Sequence, residues 1–304
     1  MSLENLTTFP WISFNLAILL ILSLDLGVFR KQAHAPTYKE SLLWSLLWFT
    51  LAVLFGFWVL KTKGYESAVN FFTGYAIEKS LSLDNIMVFV LIFEGLGIPL
   101  KYQHKVLFWG IFGALILRIL MIFAGVVLLQ KFHFLMYVFG GFLLITGLKM
   151  LRQHDETKDI KQGRLWKFIQ RNLPLTDQFN GQSFWLKVGG TKKATPLLAA
   201  LVLVELSDVI FAVDSIPAIF AITMDPFIIY TSNVFAILGL RSLYFLLAGA
   251  ISSFIYLKKG LAFILCFVGL KMVGIIHISP IYSLTIILLS LLVSICFSLS
   301  KRKA

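Results

Sequence analysis

The sequence predicts an all-α membrane protein of about nine transmembrane helices that contains two inverted three-helix repeats. Three observations lead there. Hydrophobic residues make up 59% of the 304 positions and charged residues only 14%, against about 25% charged in an ordinary soluble domain. Runs such as Thr195–Ala221 and Ile281–Leu299 are apolar over the roughly 20 residues a helix needs to cross a hydrocarbon core. Several short motifs recur at one fixed offset along the chain.

The spans fall near residues 11–29, 41–60, 68–93, 105–129, 132–151, 195–221, 227–256, 260–277 and 280–299. Helices are expected because backbone polar groups in lipid must be satisfied within the segment, and no alternating ten-residue strands of a barrel occur. Residues 1–67 form an N-terminal two-helix segment, 68–151 the first repeat, 195–278 the second, and 279–304 a last helix with a basic tail. The connection 152–194 has mixed charge and contains Trp166, Trp185 and Gly189-Gly190. It reads as a solvated loop with room for a short interfacial helix. Met1–Pro10 lacks the basic start of a signal peptide, so the mature chain is expected to begin near Met1.

The net charge of +12 invites a nucleic-acid reading, but its distribution argues against one. Of 27 Lys and Arg residues, 19 fall in the loops after the first, third, fifth and seventh spans and in the C-terminus. The opposite side holds only Lys61, Lys63 and Lys131. That bias orients a multi-pass protein of the bacterial inner membrane with its N-terminus outside and its C-terminus in the cytoplasm. Its partner is then the lipid bilayer and not nucleic acid.

The recurring motifs define the repeat. SLDNIMVF around Asp84 resembles LSDVIFAV around Asp208, ALILRIL around Arg118 resembles ILGLRSL around Arg241, and GLKM at Gly147–Met150 returns at Gly269–Met272. All three pairs are 122–124 residues apart. Each copy contains three spans, an odd number, so adjacent copies must cross the membrane in opposite senses. Secondary transporters built this way hold their site near the midplane where the repeats meet.

Ionisable residues concentrate at that place. The third span carries Glu78, Lys79 and Asp84 with Ser80, Ser82 and Asn85; the sixth carries Glu205, Asp208 and Asp214 with Ser207 and Ser215. The fourth and seventh supply Arg118 and Arg241, and the first supplies Asp25. A charge at the bilayer centre costs roughly 2.5–3.5 kcal/mol on translocon scales, which makes each a functional candidate. Six acids against three bases leave an excess that calls for cations or protons. At about 100° per residue, Glu205, Asp208 and Ser215 share one stripe, with Ser207 and Asp214 on the adjoining face. Glu78, Ser82 and Asn85 form a matching stripe, flanked by Ser80 and Asp84. Pro217 and Gly74 are expected to open their helices locally and expose carbonyl oxygens.

Carboxylate, amide and hydroxyl oxygens suit hard cations such as magnesium, calcium or manganese(II). Zinc and copper sites bring His or Cys, yet no histidine sits near a span centre, and Cys266 and Cys296 have no CxxC or His partner. The competing reading is a static ion-pair network of Asp84 and Asp208 with the arginines, which leaves the excess acids unpaired.

At these residues the sequence resembles a known family. LDLGVF at Leu24–Phe29, EKSLSLDN at Glu78–Asn85, ALILR at Ala114–Arg118, ELSDVIFAVDSIPA at Glu205–Ala218 and LGLRSLYF at Leu238–Phe245 are similar to motifs of the TerC integral membrane family, close to its bacterial Alx type. The resemblance implies a manganese(II) exporter related to the LysE-type transporters, and fits the family's older description as tellurite-resistance proteins. Manganese(II) is then the transported ion and no other cofactor is expected. Asp25, Glu78, Asp84, Asn85, Glu205, Asp208 and Asp214 match the family's acidic and polar positions and would hold the ion. Arg118, Arg241 and Lys79 would serve as counter-ions or gates, Ser80, Ser207 and Ser215 as supporting polar groups, and protons as the species taken up on release. A plant relative associated with protein insertion into thylakoids makes membrane biogenesis the alternative. An intramembrane enzyme is third, since no Ser/His, HExxH or GxGD-type set is present.

Overall fold

The computed structural model describes residues 8–27, 36–152, 163–248 and 256–302. Helices dominate: α1 Thr8–Gly27, α2 Tyr38–Lys63, α3 Tyr65–Gly95, α4 Leu100–Lys131, α5 Leu135–Arg152, α6 Arg164–Asn172, α7 Pro196–Phe220, α8 Pro226–Leu238, α9 Leu240–Leu247, α10 Leu257–Met272 and α11 Pro280–Arg302. The described residues also form two strands, β1 Trp185–Val188 and β2 Thr191–Ala194.

Local chemistry fixes the helix ends. Thr37 and Glu40 form a capping box on α2: the Glu40 N–H donates to Thr37 Oγ1 and the Thr37 N–H to Glu40 Oε2, at 3.3 and 2.8 Å. A single residue, Gly64, joins α2 to α3 with φ 87°, a conformation glycine adopts without a Cβ clash. Asp225 caps α8 by accepting from the N–H groups of Phe227 and Ile228, and Pro226 occupies the first turn.

Six helical stretches among the described residues are long and apolar enough to cross a membrane: α2, α4, α5, α7, the span Pro226–Leu247 that α8 and α9 make with Gly239 between them, and α11 from Pro280 to Ser298. The other three predicted spans coincide with α1, α3 and α10. The 31-residue α3 falls short because Glu78, Lys79 and Asp84 interrupt its apolar run, and α10 because it has 16 residues, about 24 Å of helix.

Two further expectations change. Neither Gly74 nor Pro217 opens its helix, since α3 and α7 run through them without interruption. The break comes instead at Gly239, between α8 and α9, inside a span the sequence presents as one helix. The long connection also holds more order than a solvated loop. It contains α6, the expected short helix, and a β1–β2 hairpin whose turn residues Gly189 and Gly190 both have positive φ, 58° and 80°, as a two-residue primed turn requires.

At the centre lies α8, every residue of which from Phe227 to Leu238 is buried. The broadest helix pairings are α5 with α10, α3 with α8, and α4 with α7, and α3 also packs on α7. Where α5 meets α10, two glycines of α5 leave no room for a side chain of their own. A Cβ on Gly140 would lie 3.0 Å from the Gly269 carbonyl oxygen, and one on Gly147 would lie 2.8 Å from that of Ala262. Small residues let membrane helices approach backbone to backbone in this way.

Candidate functional site

The centre of the helix bundle contains an ion cluster built from four helices. Arg118, on α4, is 2% exposed and spends every arm of its guanidinium. Its Nη2 donates to Asp208 Oδ1 at 3.0 Å and its Nε to Asp208 Oδ2 at 3.4 Å, a two-pronged contact with α7. Its Nη1 donates to Glu78 Oε1 on α3, to Asn233 Oδ1 on α8 at 3.2 Å and to Ser215 Oγ on α7 at 3.4 Å. Asn85 Nδ2 on α3 reaches Asp208 Oδ1 at 3.4 Å. Glu78, Asn85, Ser215 and Asn233 are all buried.

Helical spacing explains the membership. Ser215 is seven residues beyond Asp208, two turns later on the same stripe, and Asn85 is seven beyond Glu78. The stripes of α3 and α7 therefore face each other across Arg118. Several buried oxygens of this region are left without a donor: Glu78 Oε2 and Asn85 Oδ1 within the cluster, and Glu205 Oε2 beside it on α7. Glu205 packs its carboxylate against α4 where Gly113 has no side chain; a Cβ there would come within 2.6 Å of both oxygens. A carboxylate without a donor in a low-dielectric interior is a strong acceptor in search of a positive charge.

Other predicted site residues sit elsewhere. Asp214 is half-buried and accepts from Thr146 Oγ1 on α5 at 3.4 Å. Six residues separate it from Asp208, which turns it about 120° off that stripe. Lys79 points away from the acids: its Nζ donates to the Ala236 carbonyl at 3.1 Å, near the C-terminal end of α8. There a cation also complements the helix dipole. Ser80 and Ser207 donate back to Ala76 and Leu203 on their own helices. Asp84 is half-buried on α3 and Arg241 is buried at the start of α9. Asp25 belongs to α1, and its side chain lies outside the described residues. Among the described residues, no three acid, His or Cys side chains converge closely enough to hold a metal by themselves. Arg118 stands between Glu78 and Asp208.

Sequence reasoning missed Asn233 altogether. A neutral amide in the run FIIYTSNVFAIL carries no charge to mark it; only its burial at the helix centre, where every polar group needs a partner, does so. The cluster gathers oxygen donors, two carboxylates, two amides and a hydroxyl, around one buried guanidinium. Those donors suit a hard cation.

With this geometry in view, the relatives are informative. The family model described as "Integral membrane protein TerC family" matches residues 63–304. The Myxococcus xanthus "Uncharacterized membrane protein STKORF319" is 53% identical over 96% of this chain and 92% of its own length. The Escherichia coli K12 protein named "Putative membrane-bound redox modulator Alx" is 46% identical over 92% of this chain and 91% of its own. An "Uncharacterized membrane protein" of Rickettsia felis is 44% identical over 94% and 97%. No solved structure matches the chain. A family match over most of the sequence, several apolar helices and relatives matched along nearly their whole length lead to one conclusion: the chain is a multi-pass membrane protein that belongs to the TerC family.

Proposed function

We propose that the protein is a secondary transporter that exports a divalent metal cation, manganese(II), from the cytoplasm across the bacterial inner membrane. The observation that carries this reading is the set of donor-less buried oxygens around Arg118: Glu78 Oε2, Asn85 Oδ1 and the nearby Glu205 Oε2. If ionised, Glu78, Asp208 and Glu205 outweigh Arg118 by two negative charges, the amount one divalent ion neutralises. The choice of manganese among hard cations rests on the family resemblance.

In this mechanism Arg118 holds Glu78 and Asp208 together while the site is free of cation. An arriving ion takes the carboxylate oxygens, the guanidinium retreats toward Asn233 and Ser215, and protonation of an acid on the far side releases the ion. Arg118 is thus an internal substitute for the substrate. A protein-insertion role would give the buried acceptors nothing to do.

The inverted-repeat reading draws support from the packing. Exchanging α3 with α7, α4 with α8 and α5 with α10 turns the α3–α8 contact into the α7–α4 contact and leaves α5–α10 and α3–α7 unchanged. At the same offset, the Gly140–Gly269 approach becomes the Ala262–Gly147 approach. The two halves would then rock about the cluster, with the N-terminus outside and the C-terminus in the cytoplasm, as the charge bias requires.

Cellular manganese measured in a strain lacking the protein tests the proposal. The strain is expected to accumulate the metal, a copy of the parent to restore the normal level, and an equally expressed Asp208→Asn copy to fail. Full restoration by Asp208→Asn would sink it.

A further inference from the structure

Between α2, α3, α9 and α11 lies a cavity of ≈ 570 Å³ that the transport reading does not use. We propose that it binds a free fatty acid, a single apolar chain ending in a carboxylate, with the carboxylate on Lys79 and the chain running outward between α2 and α11. This does not depend on transport.

The walls are apolar, with Phe49, Leu243 and Leu288 among them, and the volume falls in the usual range of small-ligand pockets, about 300–1,000 Å³. Phe49 and Leu288 are 53% and 43% exposed, so the outer side opens where lipid would be. Lys79 supplies a basic group to the lining. Lys79 has three N–H donors, of which the Ala236 carbonyl takes one. Among the described residues, no acidic side chain lines the cavity. Glu78, the adjacent acid, turns the other way to Arg118. The walls also carry Ser45, whose Oγ is buried without a hydrogen-bond partner. A lysine with no acidic partner and a hydroxyl with no hydrogen-bond partner, both in an apolar chamber, are poorly solvated unless a polar ligand group meets them.

Depth selects the kind of anion. Lys79 lies at the middle of the 31-residue α3, about 22 Å from either end of that helix. A phospholipid headgroup stays at the interface, whereas a fatty acid enters the hydrocarbon core as the neutral acid and forms the ion pair by passing its proton to the Lys79 amine.

A diazirine-bearing analogue of palmitic acid and its methyl ester, each applied to the purified full-length protein in detergent, test the proposal. The acid is expected to label peptides of α2 and α11 about tenfold more than the ester, since the charged pair is the stronger bond. Lys79→Gln should reduce the acid to the level of the ester. Leu288→Trp, which fills the chamber from α11 without touching Lys79, should lower labelling by both probes. Equal labelling by acid and ester would mean that the cleft is only filled by acyl chains, and retained acid labelling in Lys79→Gln would remove Lys79 from the site; either result overturns the proposal.

Discussion

The two arginine-bearing segments carry related sequences but fold differently. Arg118 lies within the unbroken, 32-residue α4, whereas Arg241 follows a break at Gly239 and begins the separate, eight-residue α9. Their surroundings differ in the same direction. Only 33% of the apolar window of α4 is buried in protein, against 94% for Pro226–Leu247. A helix that faces lipid cannot release its carbonyls, because nothing there would bond them. One enclosed by protein can, and Lys79 Nζ meets the Ala236 carbonyl one turn before the break. Sequence similarity thus set where the two arginines stand, while the neighbours decided which helix was free to interrupt itself.

The largest expected effect concerns the continuous helix. Arg118→Ala leaves Glu78 and Asp208 buried without their cation, which typically costs about 3–5 kcal/mol. The loss should be clear in thermal unfolding of the manganese-free protein and smaller with manganese present. Equal losses in both conditions would mean that the ion and the guanidinium do not exchange, and the static-network reading would take over.

A smaller effect is expected at the break. Lys79→Met takes away the partner of the Ala236 carbonyl and should destabilise by about 1–3 kcal/mol. Lys131→Met, an exposed change in the last turn of α4, should stay within about 0.5 kcal/mol. Denaturant unfolding of the two variants side by side checks the contrast; equal effects would mean that Lys79 does not hold the interrupted helix.

The smallest is Gly239→Ala. The new Cβ would come 2.7 Å from Lys79 Nζ, the movable end of a flexible chain, and 3.3 Å from Trp48 Cβ. Gly239 has φ −80°, which alanine also adopts, so the substitution gains about 0.4–1 kcal/mol from the reduced freedom of the unfolded chain. These oppose, so stability should change by less than about 1 kcal/mol. A shift well beyond that in unfolding midpoint would show that the break is fixed by glycine itself and not by what surrounds it.

Much of the central cluster was legible in the sequence. Glu78, Arg118, Asp208, Asn85 and Ser215 all follow from charge in apolar runs combined with helical spacing. Position relative to neighbouring helices was not. Asp214 sits on α7 in what sequence alone treats as the same polar half, yet it meets Thr146 of α5. Lys79 adjoins Glu78 in sequence and serves a different helix. Asn233 and the Gly239 break were hidden because a neutral amide and one glycine barely disturb an apolar pattern. The hairpin carried a visible Gly-Gly turn signal, but its short strands TKKA and WLKV are too polar or too brief for their alternation to stand out.

The spacing of the cluster along the chain has a consequence for biosynthesis. Glu78 precedes Arg118 by 40 residues, and Arg118 precedes Asp208 by 90. At about 5–20 residues per second on the ribosome, the first acid waits roughly 2–8 s for its arginine, and Asp208 follows some 4–18 s later. The nascent chain therefore acquires an acid, then the base that neutralises it, and only afterwards the second acid. Within this trio Arg118 meets an acid already in place, and Asp208 meets a pair that is already neutral.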